Sequence, residues 1–154
     1  MTEFAHVLIA SHGTPGAQAA ERAALALCRA RGRLLHLIVV PDLWRGMMGD
    51  DWLNNAWTRD VYGNYVENQL RREIQPHIDR MRPDAMARDI AYEFRVVLGK
   101  PAECLLAFSR ETAPDLVVIG APRPKGIRGL RSRLHPEQLV GALAMPLLVV
   151  PYPR

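Results

Sequence analysis

Five short apolar runs, each closed by a glycine or a proline, alternate along this chain with segments whose apolar residues recur every three or four positions. A short run without alternation reads as a strand buried on both faces, and a three-to-four stripe reads as one face of a helix. The first run, His6–Ser11, ends at Gly13, Pro15 and Gly16, and a stripe of Ala20, Ala23, Ala24, Leu27 and Cys28 follows, with Gly32 placed to stop the helix. Leu34–Val40 is the second run, ended by Pro41. Tyr92–Leu98 is the third, and its alternating start predicts one edge or face in contact with water. Pro101 then opens a helix lined by Ala102, Leu105, Leu106 and Ser109. Asp115–Gly120 is the fourth run, Pro136 starts a short helix with Leu139, Val140 and Leu143, and Pro146–Val150 is the fifth.

Strands that alternate with helices imply right-handed crossovers and a mostly parallel sheet covered on both faces, so the expected class is doubly wound α/β. In such sheets ligands bind outside the carboxyl ends of the strands, where the order of connection reverses. The segments to search are therefore Ser11–Gly16, Val40–Gly63 and Gly120–Leu134. At about 100–200 residues per domain, 154 residues make one domain. Within it, residues 42–63 read as an inserted loop, carrying Trp44, Trp52 and Trp57 without a clean period. That insert would cap the ligand pocket, extend an interface, or fold back onto a helix face. The helix after it sets Val66, Leu70, Ile74, Ile78 and Met81 on one side, and Pro76 interrupts its hydrogen bonds.

Cys28 and Cys104 both fall in helical apolar patterns and are expected to be buried thiols in a reducing compartment. The start of the chain has no basic leader, Val7–Ala10 is too short for a signal segment, and no run of about 18 apolar residues occurs. A soluble cytoplasmic protein with no membrane partner is the expectation.

Several chemistries lose support. Lys125 precedes Gly126 and Ile127 follows it, so Gly120–Gly126 is not a Walker A loop. Ser11-His-Gly-Thr-Pro-Gly16 offers only the spacing of Gly13 and Gly16, which is no dinucleotide fingerprint, and it lacks the Ser-Gly-Gly-x-Asp-Ser pattern of ATP pyrophosphatases. The His-x-Gly-His of nucleotidyltransferases is likewise missing. Neither the five histidines nor the two cysteines stand at metal-ligand spacing. Ser11 and His12 are adjacent on a strand end and point to opposite faces, and no nucleophile elbow surrounds them. His36, in the middle of the second run, reads as a core histidine with a hydrogen-bonded partner.

Net charge is +4, and all but Lys100 and Lys125 of the 20 basic residues are arginine. The densest single-sign stretch is Arg123, Lys125, Arg128, Arg131 and Arg133, with no acidic residue among them. A solvated loop face accounts for such a run, and so does an anion site. Nucleic acid is not the expected partner, because the net charge is modest and no aromatic residue interleaves the basic run.

The stretches Val7-Leu-Ile-Ala-Ser-His-Gly-Thr14, Gly99-Lys-Pro-Ala-Glu103, Pro114-Asp-Leu-Val-Val-Ile-Gly120 and Met145-Pro-Leu-Leu-Val-Val150 together resemble the universal stress protein family. The resemblance covers all but the tryptophan-bearing insert. It implies a Rossmann-like five-stranded sheet in the order 3-2-1-4-5, a cytoplasmic stress-response role, homodimers formed through the strand Pro146–Val150 and, in one branch, ATP at the strand carboxyl ends. That branch has an aspartate after strand one and Gly-x-x-Gly-x9-Gly-Ser/Thr after strand four. Here the aspartate position is His12, the first glycine is Gly120, the second is Arg123 and the last pair is Arg133-Leu134, while Gly126 falls on a further glycine common in that loop.

Glycines in such a loop let backbone N–H groups approach phosphate oxygens, and an inward arginine obstructs that approach. His12 also removes an acidic acceptor for an adenine or ribose donor. The expectation is a regulatory binding protein whose nucleotide site is degenerate, with weak or no ATP affinity. Three alternatives stay open: an adenine nucleotide (ATP or AMP) or other anion held by guanidinium forks; a weak nucleotide hydrolase with His12 as general base and Arg123 or Arg133 on phosphate; and an RNA-binding protein. No carboxylate in the strand-four loop is placed to hold a metal, which weighs against the hydrolase. In every case the pocket residues would be Ser11, His12, Gly13, Thr14, Val40, Gly120, Arg123, Lys125, Gly126 and Arg133.

Overall fold

The structure is a computed structural model and describes residues 3–11, 15–40, 72, 75–76, 78–98, 101–121 and 136–153. In chain order the elements are β1 (Phe4–Ser11), α1 (Pro15–Leu27), β2 (Cys28–Val40), α2 (with continuous helix over 78–87), β3 (Ala91–Leu98), α3 (Pro101–Thr112), β4 (Leu116–Gly120), a single 3-10 turn (Pro136–Gln138) and β5 (Leu147–Val150). The five strands form one sheet in the order β3-β2-β1-β4-β5, and every pairing is parallel.

Alternation along each strand builds two cores. Val7, Ile9, Leu34, Leu116 and Val118 face α1 and α2, where they meet Ala20, Ala24, Leu25, Met81 and Ala85. Leu8, Ala10, Leu35, Leu37, Val117 and Ile119 face the other way, against Ala102 and Leu105 of α3 and Leu139. Burying one such leucine, isoleucine or valine contributes about 1.5–3 kcal/mol. The fully buried Ala20 and Ala24 bring α1 close to the sheet. On the other edge of the sheet β3 is wet, as its alternation predicts: Glu93, Phe94 and Arg95 are exposed.

Three details differ from the sequence reading. Gly32 does not stop a helix. α1 ends at Leu27, and Cys28 already belongs to β2, paired with Phe4. The next pair is His6 with Arg33, so residues 29–32 form a wide bulge in which Arg31 takes φ 66°. A Cβ on Gly32 would lie 2.7 Å from the Ala5 carbonyl oxygen and 2.8 Å from that of Arg29, so glycine is required there by close backbone approach. The bulge is tied to the turn before β3, where Arg31 N–H donates to the Asp89 carbonyl at 2.6 Å.

Beyond Pro136 the regular helix ends at Gln138. Leu139 is fully buried, but Val140 is 72% exposed rather than inward. Gly141, at φ 85°, takes the left-handed conformation that terminates helices, so Val140 never joins an inner stripe. Finally, Cys104 is half-buried, because it flanks the stripe of Ala102, Leu105 and Ser109 instead of lying on it. The tryptophan-bearing residues 42–63, and Val66, Leu70 and Ile74 of the following helix, lie outside the described residues. Ile78 and Met81 are buried on one side of α2 as expected, with Ala85 continuing their stripe.

Candidate functional site

The strand order creates one point where the chain's path reverses. From β1 the chain steps outward through β2 to β3 at the edge, with α1 and α2 on one face. It then returns by α3, on the opposite face, to β4 beside β1. Connections leave β1 and β4 on opposite faces, so their carboxyl ends open a crevice between them.

Ser11, Val40 and Gly120 are the last residues of β1, β2 and β4. Ile9 pairs with Val118, so Ser11 and Gly120, each two residues further on, stand at matching heights on the carboxyl edge. Ser11 also pairs with Ile38, which puts Val40 one pleat higher. The amino end of the 13-residue helix α1 opens on the same edge at Pro15, an orientation that favours negative charge. Beyond Gly120, the Ala121 N–H donates to the Val150 carbonyl at 2.8 Å, fixing the exit of β4 against β5. His12, Gly13, Thr14, Arg123, Lys125, Gly126 and Arg133 lie outside the described residues.

The described residues hold a second polar assembly that the sequence reading largely missed. His36, fully buried on β2, has its Nδ1 2.6 Å from the Tyr92 hydroxyl on β3. Its Nε2 faces Oε1 of Glu21 on α1 at 3.7 Å. The other carboxylate oxygen of Glu21 accepts from Nε of Arg80 on α2 at 3.0 Å and from its Nη2 at 2.7 Å. Glu21 itself is 1% exposed. Four elements are thus joined by one chain of polar contacts inside the core between α1, α2 and the sheet. Burial, and then the negative charge of Glu21, push the Tyr92 hydroxyl well above the ordinary phenol range, so it keeps its proton. The signal for this assembly was a carboxylate lodged in the apolar stripe of α1, between Ala20 and Ala24.

Next to Tyr92, on the first half of β3 and away from the carboxyl edge, Arg82, Glu93, Phe94 and Arg95 border a shallow recess of about 400 Å³. The Arg82 guanidinium lies 5.7 Å from the centre of the Phe94 ring, within cation–π range. At the amino end of the sheet, burial and the charge of Arg33 hold the His6 imidazole below its usual pKa of 6.5. Among the described residues, no group of three or more His, Cys, Asp or Glu could hold a metal ion, and no helix is long and apolar enough to cross a membrane.

A sequence model of the universal stress protein family matches residues 3–151. The chain belongs to the universal stress protein family. Solved structures of that family share the fold at low identity. The universal stress protein UspA from Lactobacillus plantarum superposes with a TM-score of 0.63 at 17% identity, over 97% of this chain and 99% of the other. A universal stress protein in complex with cAMP gives a TM-score of 0.59 at 16% identity, over 99% and 100%. A universal stress family protein from Arabidopsis thaliana with AMP bound gives 0.61 at 12% identity, over 99% and 93%. No curated relative matches the sequence. The five-stranded order is therefore that of a universal stress protein.

Proposed function

We infer that this protein is a stress-response binding protein, formed as one universal stress domain over residues 1–154, whose nucleotide site is degenerate and has weak or no affinity for ATP. The observation that carries this reading is the chemistry of the two loops bordering the β1/β4 crevice. Where the ATP-binding branch of the family uses an aspartate, a glycine and a Gly-Ser/Thr pair, this chain has His12, Arg123 and Arg133-Leu134. Each exchange works against ATP in its own way. A carboxylate acceptor for the base or sugar is lost at His12, and arginine replaces the glycines that would let backbone N–H groups approach phosphate oxygens. Gly120, at the end of β4, keeps the first glycine of the loop.

A second reading keeps the site and changes its ligand. Two neighbours of the same fold carry cAMP and AMP, and five basic residues between Arg123 and Arg133 can supply charge-assisted bonds to a smaller phosphate group. Mass spectrometry of the purified protein under native conditions separates the two readings. Protein free of adenine nucleotide supports the degenerate site, a stoichiometric AMP or cyclic nucleotide supports the second reading, and stoichiometric ATP overturns the first.

The protein acts as a homodimer in the cytoplasm, with β5 pairing across a twofold axis. This is supported by the position of β5 at one edge of the sheet, where Leu147–Val150 are all only half-buried in the single chain. An apolar edge strand of this kind is covered when it pairs with its own copy.

A further inference from the structure

β3 forms the edge of the sheet opposite β5, and it is a long and regular edge. All 8 of its residues, Ala91–Leu98, pair in unbroken register with β2, and neither proline nor glycine interrupts them. Natural edge strands are commonly shortened, bulged or covered, because a row of unpaired N–H and C=O groups is a template for another strand. Among the described residues, no strand pairs with the outer side of β3.

The recess of about 400 Å³ lies on this edge. Four consecutive residues border it, Tyr92, Glu93, Phe94 and Arg95, and consecutive residues of a strand point to opposite faces. Tyr92 packs against the core under α1 and α2, whereas Val97, on the side of Glu93 and Arg95, packs against the core under α3. A hollow bordered from both faces of one strand lies beside its backbone, where a further strand would run. Its charge is one-sided. Glu93 is matched within the chain by Arg33 at 3.5 Å, and Asp89, in the turn before β3, by Arg31 at 3.9 Å. Arg82 and Arg95 are exposed and make no ion pair among the described residues, and Arg82 rests over the Phe94 ring.

We propose that the outer edge of β3 is a docking site for an extended acidic segment of another protein, which joins the sheet as a further strand and sets consecutive carboxylates against Arg82 and Arg95. Main-chain hydrogen bonds to β3 give such a strand its hold, and side chains on alternate faces give it selectivity. The residues of the added strand opposite Phe94 and Arg95 are neighbours in its own sequence. One carboxylate therefore meets Arg82 beside the Phe94 ring and the next meets Arg95 on the other face, whichever way the strand runs. Guanidinium–carboxylate bonds are among the stronger hydrogen bonds. A second copy of β3 would bring the same excess of positive charge to the contact, so the edge favours an acidic strand over its own kind. The site lies away from the carboxyl edge of the sheet and does not depend on the reading given to the nucleotide site.

Nitrogen-15 NMR of the full-length protein, titrated with capped peptides about as long as an ordinary strand, tests it. One peptide alternates Thr and Val around a central Glu-Glu pair, a second carries Lys-Lys in its place, and a third keeps Glu-Glu but has every Thr and Val amide N-methylated. The Glu-Glu peptide should shift the amide signals of Ala91–Leu98 more than those of β5. It should bind at least about tenfold more tightly than either of the other peptides, and lose at least about tenfold in the surface double variant Arg82→Gln, Arg95→Gln. Absence of shifts in β3 overturns the proposal. So does equal binding of the Lys-Lys or the N-methylated peptide to the wild type, or unchanged affinity in the double variant. Shifts of the β3 signals that grow with protein concentration in the absence of peptide would assign the edge to a second copy, and overturn it as well.

Discussion

The Tyr92 hydroxyl and Nδ1 of His36 approach to 2.6 Å across the β2–β3 pairing, although 56 residues separate them in sequence. The bond links the exposed edge strand to the buried strand beside it, within the core that also holds the buried Glu21 carboxylate. Replacing Tyr92 by Phe keeps the ring and removes the hydroxyl from beside a buried imidazole. The expected loss is about 1–3 kcal/mol, read as a lower denaturant midpoint at an unchanged slope.

Gly32 tests the bulge. In Gly32→Ala the added methyl would sit 2.7 Å and 2.8 Å from two carbonyl oxygens of the backbone, which cannot yield as a flexible side chain would. Overpacking of this kind costs about 1–3 kcal/mol. The thermal midpoint should fall by several degrees, roughly 2–12 °C for a domain of this size.

His6 gives the sheet's amino end a pH dependence of its own. Its folded pKa is lowered from 6.5 by burial first and then by Arg33. A lowered imidazole pKa means that the unfolded chain binds the proton more readily. Its contribution is therefore fully present above about pH 6.5 and is lost as pH falls through the folded value. A His6→Gln variant should show a flatter stability profile below pH 6.5 than the wild type, measured by urea unfolding at a series of pH values.

Pairing through β5 predicts a dimer by sedimentation at micromolar concentration. A monomer across that range would remove the proposed interface.

What the sequence reveals follows from how local each signal is. The buried run Leu116–Gly120 announces its strand because all its positions are apolar or glycine, and the order of strands and helices carries the parallel sheet with it. Ser11, Val40 and Gly120 are legible as strand ends for the same reason, since each closes an apolar run. Gly32 misleads because its meaning lies in the carbonyl of Ala5, on a neighbouring strand that periodicity does not place at atomic distance. Glu21 is visible as an anomaly in its stripe, but its partner Arg80 is 59 residues away. Nothing local distinguishes Arg80 from the other arginines of the chain.

The proposal of a degenerate nucleotide site is tested most directly by calorimetric titration of ATP into the wild-type protein and into the triple variant His12→Asp, Arg123→Gly, Arg133→Gly. The account predicts a wild-type dissociation constant weaker than about 1 mM, or about −4 kcal/mol, and at least about tenfold tighter binding, some 1.4 kcal/mol, in the variant. Micromolar ATP binding by the wild type, weakened by the same three substitutions, would contradict it.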